Sequence, residues 1–224
     1  MSNIIFSLPN IQLVRSVLPS SIYDSLMSEI KEMKEKGSPN EHNSKLAGAI
    51  EQEYTLSKMN HENLSPFLKN MATEYWFDTN DPRLKYDDID WDIAPMWVNL
   101  QKKNEYNPLH NHSGDISFVI WMEIPYKSLD ESNQKNIIKS NNIDGAACFE
   151  FTYQNISGDM RYYRFPVEKG WEGRVIMFPS NLMHQVYPFQ TSDDYRISIS
   201  GNLHLAKYPG SEHNKYEKIK QIQR

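Results

Sequence analysis

The sequence predicts a mainly β chain (α+β), in which an α-helical N-terminal region supports a barrel or sandwich of short strands. Three observations carry that expectation. Roughly the first 80 residues hold the helix signals, with apolar residues recurring at three- and four-residue spacing. After Trp91 the pattern changes to short apolar runs split by turn residues, several of them within about 110 residues, which suits a closed or stacked β architecture. The last run alternates: Tyr195, Ile197, Ile199, Leu203 and Leu205 are apolar, whereas Arg196, Ser198, Ser200, Asn202 and His204 are polar. A strand sends these two sets to opposite faces. The polar face either meets water or lines a ligand-filled lumen while the apolar face packs under helices.

The elements follow in order. Ser20 or Ser21 caps a helix that runs to about Lys36 and stops at Gly37-Ser38-Pro39. Ile22, Leu26, Ile30 and Met33 form its apolar stripe. Residues 40–56 show no clear period, and Ala47-Gly48-Ala49-Ile50 reads as a strand or as a loop crossing the barrel mouth. Ser65-Pro66 predicts the start of a second helix, since proline suits the first helical position, and Phe67, Leu68, Met71, Tyr75 and Trp76 follow it. Strands are expected over residues 95–101, 116–124, 146–154, 160–167, 173–178, 184–188 and 195–205. Residues 128–141 interrupt them with a polar insertion, helical in character and capped by Ser128 or Asp130. There is no internal repeat. A single domain over residues 1–224 is expected, with residues 1–90 as helical support, 91–206 as the β core and 207–224 as a polar tail.

Composition narrows the function. A chain of 224 residues can form one large domain or two small ones. Its net charge of −5 argues against a nucleic-acid backbone as the main partner, although a local basic groove stays open. Cys148 is the only cysteine, so no internal disulfide can form, a reducing compartment is expected, and the thiol reads as buried and inert. The N-terminus lacks the basic and apolar regions of a signal peptide. No stretch approaches the roughly 18 apolar residues of a membrane span. The expectation is a cytoplasmic chain with no membrane partner.

Chemistry concentrates in the β region. His110 and His112 stand in Pro108-Leu109-His110-Asn111-His112-Ser113-Gly114-Asp115. Residues two apart on a strand point the same way, so both imidazoles can converge on one metal ion. His184, after Phe178-Pro179-Ser180, would complete a facial set of three. Asp115 is the alternate ligand: a turn at Ser113-Gly114 would bring its carboxylate to the metal in place of one histidine, or behind an imidazole that it would orient. As a plain turn residue it would bond backbone N–H groups instead. Arg196-Ile197-Ser198 places a guanidinium and a hydroxyl on one face of the last strand, a pairing suited to an anion. Iron is expected rather than zinc, because a zinc-activated water would give no reason for that arginine and serine.

In these motifs the chain resembles the 2-oxoglutarate- and iron(II)-dependent oxygenases, including phage-encoded members. The resemblance rests on Trp97-Val98-Asn99, His110-Asn111-His112, the apolar run 116–124, Phe178-Pro179-Ser180 with His184, and Arg196-Ile197-Ser198, and covers about residues 90–202. It implies a double-stranded β-helix, or jelly roll, with supporting helices. It also implies a reaction in which 2-oxoglutarate and molecular oxygen are consumed at iron(II), coupled to hydroxylation of a further substrate. Arg196 would pair with the distal carboxylate of 2-oxoglutarate, Ser198 would add a hydrogen bond, and Asn99 would contact co-substrate or substrate. The family's usual motif is His-x-Asp or His-x-Glu. This chain departs from it with His-x-His, which leaves the ligand set open between the two histidines and Asp115. Two other readings compete. A cupin-like three-histidine iron dioxygenase would use no 2-oxoglutarate, and Arg196-Ile197-Ser198 speaks against it. A non-enzymatic jelly-roll binding protein would carry the histidines incidentally. The substrate is not legible: Tyr106, Trp121, Tyr126 and Trp171 are candidate pocket aromatics, and residues 127–144 a candidate lid.

Overall fold

The computed structural model describes residues 11–36, 49–79, 89–134 and 146–207. The stop signal at residues 37–39, Ala47-Gly48, the insertion beyond residue 134 and the polar tail lie outside the described residues.

β1 (Val14–Val17) leads into α1 (Ser20–Lys36), which begins at the expected serine. β2 (Glu53–Thr55) follows, then α2 (Lys58–Thr79). α2 starts earlier than Ser65-Pro66 predicts, and the reason is a better cap. Ser57 Oγ accepts the Asn60 N–H at 3.3 Å, while the Ser57 N–H and hydroxyl each donate to Glu29 of α1 at 2.6 Å. Pro66 therefore sits inside the helix. It offers no N–H to the preceding turn, and the Ser65 hydroxyl donates to the His61 carbonyl at 2.6 Å beside it.

The strands that follow are β3 (Asp90–Ile93), β4 (Trp97–Gln101), β5 (Asn107–His110) and β6 (Ile116–Glu123). After α3 (Ser128–Ser132) come β7 (Phe149–Gln154), β8 (Met160–Phe165), β9 (Arg174–Pro179), β10 (Met183–Val186) and β11 (Arg196–Lys207). They form two antiparallel sheets. The larger runs β1-β9-β6-β11-β4-β2, with β3 pairing β11 as well, and the smaller runs β5-β10-β7-β8. The architecture is the jelly roll that the sequence motifs imply.

β11 is the spine of the larger sheet. Across β4 its register sets Arg196 opposite Gln101, Ser198 opposite Asn99 and Ser200 opposite Trp97. Its apolar set, Ile197, Ile199 and Leu203, is fully buried in one cluster with Leu26 and Ile30 of α1 and Leu64 and Leu68 of α2. The helices thus cover the outer face of the larger sheet, each buried leucine or isoleucine contributing about 1.5–3 kcal/mol. The inner face carries Val119 and Trp121, which join Phe149, Phe151, Phe178 and Phe189 in a second cluster between the sheets. The polar side of β11 accordingly looks inward, not into water. Cys148 is buried and in no disulfide. No helix among the described residues is long and apolar enough to cross a membrane.

Candidate active site

Between the sheets lies a pocket lined by His110, His112, His184, Asn99, Ser198 and Arg196. β10 pairs with β5 on one edge and β7 on the other, which makes His184 and His110 direct cross-strand partners. His112 follows the end of β5, its N–H donating to the Ser180 carbonyl at 2.9 Å. The turn beyond it requires glycine: Gly114 has φ +107°, and a Cβ there would lie 3.1 Å from the Leu203 carbonyl oxygen. The ring centroids of His110 and His184 are 4.3 Å apart, those of His110 and His112 4.9 Å, and those of His112 and His184 5.0 Å. One ligand atom from each ring lies within 4.8 Å of the others.

Two of the rings are oriented by the backbone. His110 Nδ1 lies 2.6 Å from the Pro108 carbonyl and His184 Nδ1 lies 2.9 Å from the Leu182 carbonyl. A carbonyl oxygen only accepts, so Nδ1 carries the proton in each ring and Nε2 presents its lone pair. Burial holds all three imidazoles below their usual range. His112 falls to about 4, from burial first and the neighbouring His110 second, and His184 to about 3 for the same two reasons in the same order. His110 is lowered by burial, partly offset by its bond to Pro108. All three are neutral at pH 7, as a metal requires of its ligands. Phe149 stacks on His184 at 5.6 Å, and Phe178 meets it edge-on at 4.9 Å. Three neutral, convergent imidazoles backed by an apolar wall fit a transition-metal ion.

Asp115, the expected alternate ligand, does not join this cluster. Its Oδ2 accepts the Leu205 N–H at 2.8 Å, its own N–H donates to Leu203, and its carbonyl accepts from Ser180. The turn at Ser113-Gly114 carries it onto the β11 backbone rather than toward the imidazoles.

Arg196 is buried, 3% exposed. Nε and Nη2 both donate to Gln101 Oε1, at 3.0 and 2.6 Å. Nη1 donates to the Tyr126 hydroxyl at 2.8 Å and the Ala147 carbonyl at 3.0 Å, and Nη2 to the Tyr187 carbonyl at 2.8 Å. The guanidinium also lies over the rings of Phe189 and Tyr126. Among the described residues no carboxylate forms an ion pair with it. Asn99 Nδ2 donates to Ser198 Oγ at 3.2 Å and Ser200 Oγ at 3.4 Å, while its Oδ1 is buried with no hydrogen-bond partner among the described residues.

Two further pocket residues carry chemistry that the sequence motifs do not flag. Gln101 meets the arginine, and only the inward phase of β4 hints at it. Glu53 is 2% exposed and lies opposite Asn99 on β2. Burial, then the charge of Glu105, pushes its carboxyl up to about 7. A three-residue strand offers no periodicity that would have drawn attention to it.

Residues 95–202 match the family described as "Putative 2OG-Fe(II) oxygenase". No curated protein sequence matches the chain. Among solved structures, a prolyl-4-hydroxylase from Pseudomonas putida superposes with a TM-score of 0.54 at 14% identity, covering 86% of this chain and 91% of the other. SnoN, a non-haem α-ketoglutarate-dependent epimerase from nogalamycin biosynthesis, gives 0.53 at 10% identity, covering 89% and 80%. AviO1 from Streptomyces viridochromogenes Tue57 gives 0.51 at 12% identity, covering 90% and 91%. At these identities the likeness is one of fold. With the family match laid over the same strands that bring three imidazoles and a buried arginine into one pocket, residues 95–202 of this chain form a domain of the 2OG-Fe(II) oxygenase family, which uses iron(II) and 2-oxoglutarate.

Proposed function

We propose that His110, His112 and His184 hold the iron, that Arg196, Ser198 and Asn99 hold 2-oxoglutarate, and that the domain hydroxylates a substrate still to be identified. The observation that carries this reading is the pairing, in one pocket, of three convergent imidazoles, two of them held with Nε2 unprotonated, with a buried guanidinium whose hydrogen-bond partners are all neutral. Iron(II), when bound, supplies the redox chemistry that activates oxygen against the co-substrate.

The chain's own residues do the rest. The Pro108 and Leu182 carbonyls fix the protons of His110 and His184 on Nδ1, so loading the metal at pH 7 displaces no proton from them. A buried cation gains most from an anionic partner, and a guanidinium takes a carboxylate through two parallel hydrogen bonds. Ser198 stands two residues along the same inward face of β11, able to donate its hydroxyl to the same ligand. Asn99 Oδ1 remains to accept from a donor on co-substrate or substrate. Phe149 and Phe178 exclude water from the imidazole side. With Asp115 bonded elsewhere the ligand set is neutral, which leaves bound iron one positive unit above a two-histidine, one-carboxylate site.

The test is reconstitution under anaerobic conditions. The protein should bind one equivalent of iron(II), lose it on His184→Ala, and release succinate from 2-oxoglutarate once oxygen is admitted. Arg196→Ala should raise the 2-oxoglutarate requirement by about tenfold or more, the size expected from losing a charge-assisted pair. Unchanged 2-oxoglutarate affinity in that variant would remove Arg196 from its role, and failure to bind stoichiometric iron would remove the whole assignment.

A further inference from the structure

The guanidinium of Arg196 has five N–H donors, and all five are engaged. Gln101 Oε1 takes two of them, from Nε at 3.0 Å and Nη2 at 2.6 Å. The other three go to the Tyr126 hydroxyl and the Ala147 and Tyr187 carbonyls. Every acceptor is neutral, so the hydrogen bonds are satisfied while the charge is not. Of these partners only Gln101 lines the pocket that holds the imidazoles. The Nε and Nη2 edge is also a fork that receives a carboxylate bidentately. A ligand approaching from the metal side thus meets the arginine at an edge already filled by one carboxamide oxygen. That carboxamide is not free to turn over: Gln101 Nε2 donates to the Glu105 carbonyl at 2.5 Å, which keeps Oε1 toward Arg196. The cross-strand register of Gln101 with Arg196 holds the two side by side.

We infer that Gln101 is a selectivity-setting residue for the co-substrate: its Oε1 stands in the fork where the distal carboxylate of 2-oxoglutarate binds, and the carboxylate must displace it. This rests on the role proposed above for Arg196. The co-substrate therefore competes with the protein's own side chain, and what pays for displacement is the negative charge that a carboxamide lacks. A 2-oxo acid without a distal carboxylate brings no such charge and leaves Gln101 in place. Gln101 thus lowers the affinity for 2-oxoglutarate while keeping the buried arginine hydrogen-bonded when no ligand is present.

The experiment is calorimetric binding of two probes, 2-oxoglutarate and 2-oxovalerate, to protein loaded with manganese(II) in place of iron, so that no turnover enters the readout. Gln101→Ala should bind 2-oxoglutarate about tenfold more tightly than the unsubstituted chain, and 2-oxovalerate equally well. Gln101→Glu, which places a permanent carboxylate in the fork, should weaken 2-oxoglutarate by about a hundredfold and spare 2-oxovalerate. Retained manganese and 2-oxovalerate binding certifies the fold of each variant, and either variant alone decides the matter. Unchanged or weaker 2-oxoglutarate binding by Gln101→Ala overturns the inference, as does an equal change for both probes in either variant. Arg196→Ala is measured alongside. If it still prefers 2-oxoglutarate over 2-oxovalerate, the assignment of Arg196 fails, an outcome separate from failure at Gln101.

Discussion

Replacing Glu53 with glutamine should stabilise the protein in a pH-dependent way. Glu53 is 2% exposed, and burial, followed by the charge of Glu105, raises its carboxyl from 4.5 to about 7. In the unfolded chain the group returns to its ordinary value. Because the folded value lies above the unfolded one, the folded state binds the proton more tightly. Its contribution to stability is therefore fully present below pH 4.5 and is lost as pH rises through about 7. At about 1.36 kcal/mol per pH unit, the span from 4.5 to about 7 corresponds to roughly 3 kcal/mol. Glu53→Gln keeps the shape and removes the ionisation. Chemical denaturation of chelator-treated protein should show the variant gaining about 3 kcal/mol on the unsubstituted chain between pH 4.5 and pH 8. The same stability difference at both pH values would refute the argument, since it would mean that Glu53 titrates as an exposed carboxyl does.

The site imidazoles run the other way. With His112 at about 4 and His184 at about 3, both below the free value of 6.5, metal-free protein should lose stability as pH falls below 6.5, by about 2 kcal/mol for each of the two at pH 5. Denaturation at pH 7 and pH 5 measures this, and His184→Gln should remove its share of the slope. Gly201→Ala would put a Cβ 2.8 and 2.9 Å from the Phe118 ring, which is 1% exposed, and should cost about 1–3 kcal/mol in thermal unfolding. Trimming the ring as well, with Phe118→Leu, should return part of that loss, and a double variant no more stable than Gly201→Ala would place the strain elsewhere.

Much of the fold was legible because it rests on periodicity. The stripe Ile22, Leu26, Ile30 and Met33 anticipates α1, and the alternation from Tyr195 to Leu205 anticipates β11 with its inward polar face. Both signals are local, set by the pitch of a helix and the pleat of a strand. β1, β2, β3 and β5 were not anticipated. They run for three or four residues, too few to show a period, and are strands because neighbours distant in sequence pair with them. The start of α2 was misplaced for a related reason. Ser65-Pro66 is the stronger local cap signal, but Ser57 makes its bonds to Glu29, a residue distant in sequence.

In the site, the sequence by itself determined the residue types and their order along the chain: the His-x-His, the later His184 and the Arg196-Ile197-Ser198 strand. Tertiary structure alone decided how they are used. Asp115 and His112 are three residues apart in sequence, yet one turns to the β11 backbone and the other to the pocket, because Gly114 takes a left-handed conformation between them. Gln101 reaches Arg196, and Glu53 reaches the pocket, only through the registers of β4 with β11 and of β2 with β4. Periodicity assigns a side chain to a face, but its partner across the sheet is set by strand pairing, and the ionisation of Glu53 and the occupancy of the arginine fork both follow from that pairing.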